Sequence, residues 1–258
     1  MGRARRSPRA AAVSAVASVC AGACMSLLAG APSAADPQGI MYTRDVDVVA
    51  KSAFVFRGVQ RAEETVKLQG ELRFNGLHGG AALYQPLDDD FGNETRLFGG
   101  WSPHIEDHGS PFDFELGFTW YASPNEGFGT PDASRWEPYA KLFLDAPLAP
   151  SLAYYYDIEL EQSSLEGRLT HFLPIGALNG LEFGFDGGVV SPENADEHAY
   201  AQGSVDLIRN FLNGMEGHVG LRGATSSEKR YFTDVTAAGP AYDEAAKAWL
   251  TIGVTSTF

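Results

Sequence analysis

The feature that most restricts what this chain can fold into is a period of two. Apolar and polar side chains alternate in segments of about ten residues, separated by turn-forming residues. The clearest segment is Phe112-Asp113-Phe114-Glu115-Leu116-Gly117-Phe118-Thr119-Trp120. Successive strand side chains point to opposite faces, so its five large apolar groups share one face and Asp113, Glu115, Gly117 and Thr119 the other. A helix would scatter the same residues around its circumference.

The pattern recurs along the chain. Val66, Leu68, Gly70, Leu72 and Phe74 oppose Lys67, Gln69, Glu71 and Arg73, and Leu181, Phe183, Phe185 and Val189 oppose Glu182 and Asp186. At the end, Ala246, Ala248, Leu250, Ile252, Val254 and Phe258 oppose Lys247, Thr251 and Thr255. Softer alternation marks 44–56, 80–87, 94–101, 136–144, 151–158, 164–172, 199–207 and 216–224. These segments predict an all-β chain, a single antiparallel transmembrane barrel of about 12 strands, with 10 or 14 as alternatives. The connections 57–64, 87–93, 122–135, 159–163, 191–198 and 225–243 then fall at one rim. Those at 75–79, 102–111, 145–150, 174–180 and 209–215 fall at the other.

A soluble β-sandwich or lipocalin-like barrel would bury the apolar face inwards. Segment length argues for a bilayer, because membrane strands need about 9–11 residues and ordinary strands about 5–6. Tyr84, Trp101, Trp120, Tyr121, Trp136 and Tyr156 stand near segment ends, as interfacial girdles would.

The first 35 residues follow a different rule. Arg3, Arg5, Arg6 and Arg9 precede an apolar stretch from Ala10 to Gly30, and Ala31-Pro32-Ser33-Ala34-Ala35 resembles a small-residue cleavage site. That order predicts a Sec signal peptide over 1–35, cut near Ala35, and a barrel over 36–258. The apolar run is Ala-rich and a cleavage site follows it, which disfavours an uncleaved anchor. Neither Cys20 nor Cys24 has the Leu of a lipoprotein signal three residues before it, and the residues after Arg5-Arg6 do not support a twin-arginine signal. Both cysteines fall within the leader, so the barrel carries no thiol to mispair on its way across the periplasm.

Removing the leader takes away four of 19 basic residues and none of 33 acidic ones, leaving a net charge of −18. That balance excludes nucleic-acid binding through a basic face. It suits acidic, soluble loops, a cation-favouring pore, or divalent ions at the outer-leaflet lipid.

Two short motifs carry resemblances. Gly253 through Phe258 resembles the closing signal of outer-membrane barrels, with Ser256 where a second aromatic residue is usual. The resemblance implies that the barrel-assembly machinery reads the last strand. Ser52-Ala53-Phe54-Val55-Phe56-Arg57-Gly58-Val59 resembles the opening motif of the TorF-type porin family, also known as the Gcw_chp domain of unknown function. Phe54 replaces the family's usual Tyr within Ser-x-Tyr-x-Phe-Arg-Gly. The resemblance covers about 40–258 and implies an outer-membrane porin class without naming a solute. In physical terms, Arg57 continues the face of Asp45, Asp47 and Lys51 and is placed to pair with an interior carboxylate. Gly58 permits a turn that a side chain would obstruct.

With the apolar faces in lipid, the opposite faces line the lumen. They carry Asp45, Asp47, Lys51, Lys67, Glu71, Arg73, Asp113, Glu115, Glu137, Lys141, Asp157, Glu166, Arg168, Glu182, Asp186, Asp206, Glu216, Arg222 and Lys247. The acidic excess predicts that any conductance favours cations. Twelve strands lie between filled small barrels and open large ones, so an occluded interior and an open one are both compatible with the count.

No catalytic, cofactor or metal constellation emerges. His104 and His108 lie four apart in a turn, where helical ligand spacing has no meaning. His198 stands near Ser191, Glu193, Asp196 and Glu197, the weak basis for a lipid-acting enzyme. The expectation is a porin-like channel for small solutes or ions, in contact with outer-membrane lipid. The alternatives are a structural or adhesive barrel without transport, and a barrel enzyme acting on lipid.

Overall fold

A computed structural model describes residues 42–88, 91–103, 111–122, 134–211, 214–236 and 239–258. The expected leader, the turn holding His104 and His108, and most of the 122–135 connection lie outside these residues.

The strands run β1 (Tyr42–Lys51), β2 (Phe54–Phe56), β3 (Val59–Ala62), β4 (Thr65–Phe74), β5 (Leu77–Pro86) and β6 (Glu94–Trp101). There follow β7 (Phe112–Ala122), β8 (Arg135–Leu144), β9 (Ser151–Asp157), β10 (Gln162–Pro174) and β11 (Asn179–Pro192). The last are β12 (His198–Asn210), β13 (Met215–Ser226), β14 (Tyr231–Thr236), β15 (Gly239–Glu244) and β16 (Ala246–Thr257).

Among the described residues twelve of these close a barrel: β1, β4 to β13 in sequence order, and β16. Every neighbouring pair is antiparallel, and β16 seals against β1 with Asp47 opposite Thr255 and Val49 opposite Gly253. Closure leaves the twelve-stranded wall without an edge, so its ladder satisfies the backbone without water. Eleven of the twelve segments of alternating polarity correspond to wall strands, and the twelfth, 44–56, does so only as far as Lys51.

The register carries the alternation around the wall without a slip. Leu72, Leu116, Leu207, Leu221, Leu250 and Ile252 are all exposed, Leu250 to 59%, on the outward face. Trp101, Trp136 and Tyr156 are exposed there too. Tyr84 and Tyr121 correct the girdle expectation, because both are buried within the barrel. Each lies in register with inward residues, Tyr84 opposite Lys67 and Tyr121 opposite Arg135.

Turn chemistry shortens one connection relative to expectation. Asn75 and Gly76 both have positive φ, 47° and 77°, the two-residue hairpin turn whose twist matches its strands. β5 therefore begins at Leu77, and the loop expected over 75–79 is two residues long.

The larger correction concerns the segment 44–56. Its alternation suggests one strand, but β1 ends at Lys51 and residues 54–62 form a separate hairpin, β2–β3. Arg57 and Gly58 occupy its tip with φ of 50° and 72°, again a two-residue turn. This hairpin turns into the barrel instead of extending β1. A second hairpin, β14–β15, forms within the connection expected at 225–243.

Candidate functional site: the barrel interior

Polar alternation gives the wall an inner face of charged residues, and the β2–β3 hairpin meets that face. At the tip, the Arg57 guanidinium forms an ion pair with Glu137 on β8, donating from Nη1 to Oε2 and from Nη2 to Oε1 at 3.0 Å. Arg57 Nε donates to Glu166 on β10 at 2.6 Å. Tyr121 Oη donates to Glu137 Oε1 at 2.8 Å. The Tyr155 ring lies 4.1 Å from the guanidinium carbon, cation–π distance. Glu137 is only 1% exposed, so its charge is tolerated because Arg57 and Tyr121 satisfy it.

Behind the tip the hairpin is held by aromatic packing. Phe54 stacks on Tyr84 with centroids 4.6 Å apart, and Phe56 leans on Tyr121 at 6.3 Å. Arg96, on β6, places its guanidinium among the Phe56, Tyr84 and Tyr121 rings at 4.4 to 4.9 Å. Its own charge is met by Glu94 at 2.5 Å. Gly58 lies so close to β12 that a Cβ there would fall 2.4 Å from Tyr200 Cβ. His198 Nε2 bonds the Arg57 carbonyl oxygen at 3.3 Å.

The β14–β15 hairpin and the Arg230 that precedes it lie against the first hairpin. Gln60 N–H donates to the Arg230 carbonyl at 3.0 Å, and its Oε1 accepts from Phe232 N–H at 3.2 Å. Phe232, Phe54, Ala62, Ala82, Tyr84 and Phe91 form one buried cluster, and Ala53, Ala224, Tyr231 and Trp249 a second. Burial raises the Tyr231 hydroxyl to about 12.

Below the hairpin tip lies a cavity of about 320 Å³. Arg57 and Glu137 form part of its roof, and Glu71, His78, Glu115 and Lys141 are among its other walls. Here charges pair at ordinary distances, Lys141 with Glu115 at 2.9 Å and Arg73 with Glu71 at 2.7 Å; elsewhere on the inner face Arg168 meets Asp186 at 3.2 Å. His78 stands 3.8 Å from Glu115 and 3.2 Å from Tyr139 Oη.

The register sets all nineteen expected lumen residues on one face of the closed sheet. Besides the pairs already given, Lys67 meets Asp47 at 2.9 Å, and Arg222 meets Asp206 at 2.9 Å. Asp157 pairs with Arg135. Asp45 accepts from Thr257 and Asp113 from Ser102. Lys51 approaches the Phe54 ring at 5.6 Å, and Lys247 donates to the Phe232 carbonyl. Glu182 and Glu216 are placed on that face by the ladder, opposite Asp206 and Thr255.

Of the family-like motif, Ser52 Oγ accepts from Leu250 N–H at 3.0 Å, while Phe54, Phe56, Arg57 and Gly58 all belong to the hairpin. Gly253 lies in β16, opposite Val49, and Phe258 follows that strand, exposed. Arg57 does reach interior carboxylates. It does so from the tip of an inserted hairpin and not from the face of Asp45 and Asp47.

Several interior residues escape a reading by alternation. Glu94 and Arg96 share their inner face with Phe98, which blurs the polarity of β6. Arg135 precedes the segment first recognised at 136–144, and Tyr139, Tyr155 and Tyr200 look like lipid-facing aromatics by residue type alone. For the enzyme alternative, the ladder pairs His198 with Val190, so Ser191 projects to the opposite face. Ser191 donates instead to Glu197 at 2.6 Å.

No family profile matches the chain, and no curated protein matches it in sequence. Solved structures do match. A structure described as KdgM porin is 13% identical with a TM-score of 0.55, covering 83% of this chain and 99% of its own. A NanC porin is 13% identical with a TM-score of 0.56, covering 82% and 98%. A KdgM porin in complex with disordered oligogalacturonate gives 13% and 0.53 over 84% and 99%. At such identity the likeness is one of fold.

Proposed function

We propose that this protein is an outer-membrane, porin-like channel for passive passage of small solutes or ions, narrowed by its own β2–β3 hairpin. The observation that carries this reading is the contrast between the two faces of one closed sheet. Outside, large apolar side chains stand exposed all around the wall. Inside, paired charges border a cavity of about 320 Å³. An apolar exterior of this kind is stable in hydrocarbon, where a mid-depth Arg or Lys costs about 2–4 kcal/mol, and a charged interior is stable in water. The KdgM and NanC structures, both described as porins, have the same barrel architecture over nearly their whole length.

Export through the leader at 1–35, cleavage near Ala35, and recognition of the closing strand by the assembly machinery complete the reading. Thirteen acidic residues against nine basic ones on the inner wall, with Arg57 of the inserted hairpin a tenth, support a cation preference. The TorF-type resemblance rests on the hairpin motif and fits the same class.

Planar-bilayer recording on the refolded barrel is the test. The expected result is a small conductance with a sharp size cutoff and a cation-selective reversal potential in a salt gradient. An unboiled sample that migrates as a folded barrel on an SDS gel but passes no current would favour the structural or adhesive alternative. Anion selectivity would overturn the cation preference alone.

A further inference from the structure

Two carboxylates on fixed wall strands, an aromatic face and a phenol hydroxyl together make a receptor for a planar cation. Arg57, a residue of the inserted hairpin, fills it. Glu137 projects from β8 and Glu166 from β10, so the barrel sets their positions whether the hairpin is present or not. Between them they take both edges of one guanidinium, with Glu137 binding Nη1 and Nη2 and Glu166 binding Nε. Tyr155 closes one side at 4.1 Å, and Tyr121 fixes the Glu137 carboxylate by a bond of 2.8 Å. Such fork-to-carboxylate pairing with a ring against the cation is how proteins select guanidinium groups over ammonium or neutral ones.

We propose that Glu137, Glu166, Tyr121 and Tyr155 form a binding site for guanidinium-bearing solutes, and that Arg57 is a tethered mimic of them occupying it in the resting state. In the resting structure the neighbouring guanidinium groups pair elsewhere, Arg96 with Glu94 and Arg135 with Asp157. Removing Arg57 leaves two carboxylates facing the cavity without their cation. The cavity borders both of them, so a small solute has space to reach the site from below. A solute that displaces Arg57 also releases the hairpin tip, which couples occupancy of the site to widening of the passage. This inference rests on the channel reading for its role, but the site itself is a matter of binding.

The test uses agmatine, a small guanidinium compound, with uncharged butylurea as control, on the refolded full barrel in detergent. Calorimetry should show Arg57→Ala binding agmatine about 10-fold or more tighter than the unaltered protein, the effect of losing a charge-assisted competitor. Adding Glu137→Gln and Glu166→Gln should abolish that gain, and butylurea should bind neither form. If Arg57→Ala fails to fold, as judged by heat-dependent gel mobility, Arg57→Lys replaces it. Lys cannot fork across both carboxylates, so agmatine should again bind more tightly than to the unaltered protein. Equal affinity in the Arg57 variant and the unaltered protein, or affinity indifferent to the carboxylates, overturns the proposal. Binding without any current retains the site and removes the channel. Current without binding does the reverse.

Discussion

The two halves of the barrel interior are built on the same strands and differ in almost everything else. Toward the rim where β1 ends, the interior is dry. Gln60, Glu137, Asp157, Tyr231 and Phe232 are essentially inaccessible, and two returning hairpins fill the space. Toward the other rim, Arg73 and Arg168 side chains are more than half exposed and a cavity remains. The wall supplies alternating charge in both halves. What separates them is whether the chain comes back inside. Where it does, each charge must find a partner or pay desolvation. Where it does not, water does the work and ion pairs add little.

Deleting the hairpin should have the largest effect. Lys51 and Thr65 face each other in the β1–β4 ladder, so a two-residue Asn-Gly turn can join these strands in place of residues 52–64. The shortened protein should keep its heat-dependent gel mobility and conduct several-fold more than the unaltered barrel. Unchanged conductance would mean that the two halves do not differ as barriers.

Charge removal should separate the halves next. Glu137→Ala leaves Arg57 buried with one carboxylate fewer, and is expected to destabilise the barrel by about 3–5 kcal/mol in urea unfolding from lipid vesicles. Arg168→Ala, at a pair open to water, should cost only about 0–1 kcal/mol in the same assay. Similar losses at both sites would erase the distinction between dry and wet interiors.

The outer wall offers an internal control that ignores the contents of the barrel. Ile252→Arg places a charge on the exposed apolar face, with an expected cost of about 2–4 kcal/mol if that face meets hydrocarbon. A negligible change in vesicle-based unfolding would argue against a lipid-facing wall.

The most local effect concerns the tip. Gly58→Val forces a β-branched residue into φ of +72° against Tyr200, at a local cost of about 1–3 kcal/mol. The closed wall is built without β2 and β3, so the change should appear as raised conductance and faster proteolysis of the hairpin, with little shift in global unfolding. A global loss matching that of Glu137→Ala would show that hairpin and wall unfold together.

The barrel was legible in the sequence because period two is a local property. Phe112 through Trp120 states which face is greasy without reference to any other strand. The ladder then copies that choice around the wall, so all nineteen inner charges fall on one side. The C-terminal strand was legible for a similar reason, since its alternation is complete within Ala246–Thr257.

The contents of the barrel were not legible in this way. Val55 and Arg57 continue the alternation of β1 on paper, and only the turn at Ser52 sends them inward. Arg57 meets Glu137 and Glu166 across 80 and 109 residues of sequence, and Gln60 meets Phe232 across 172. No short pattern encodes such partners. Tyr84 and Tyr121 show the limit most plainly, because an aromatic residue near a strand end suits a lipid interface and a buried hairpin equally well. The sequence by itself determined a closed wall with a polar inside and an apolar outside, since local alternation and the need to satisfy every backbone group permit little else. The tertiary structure alone decided that one half of that inside is filled by the chain itself, because filling it depends on complementarity between residues that are neighbours only after the barrel closes.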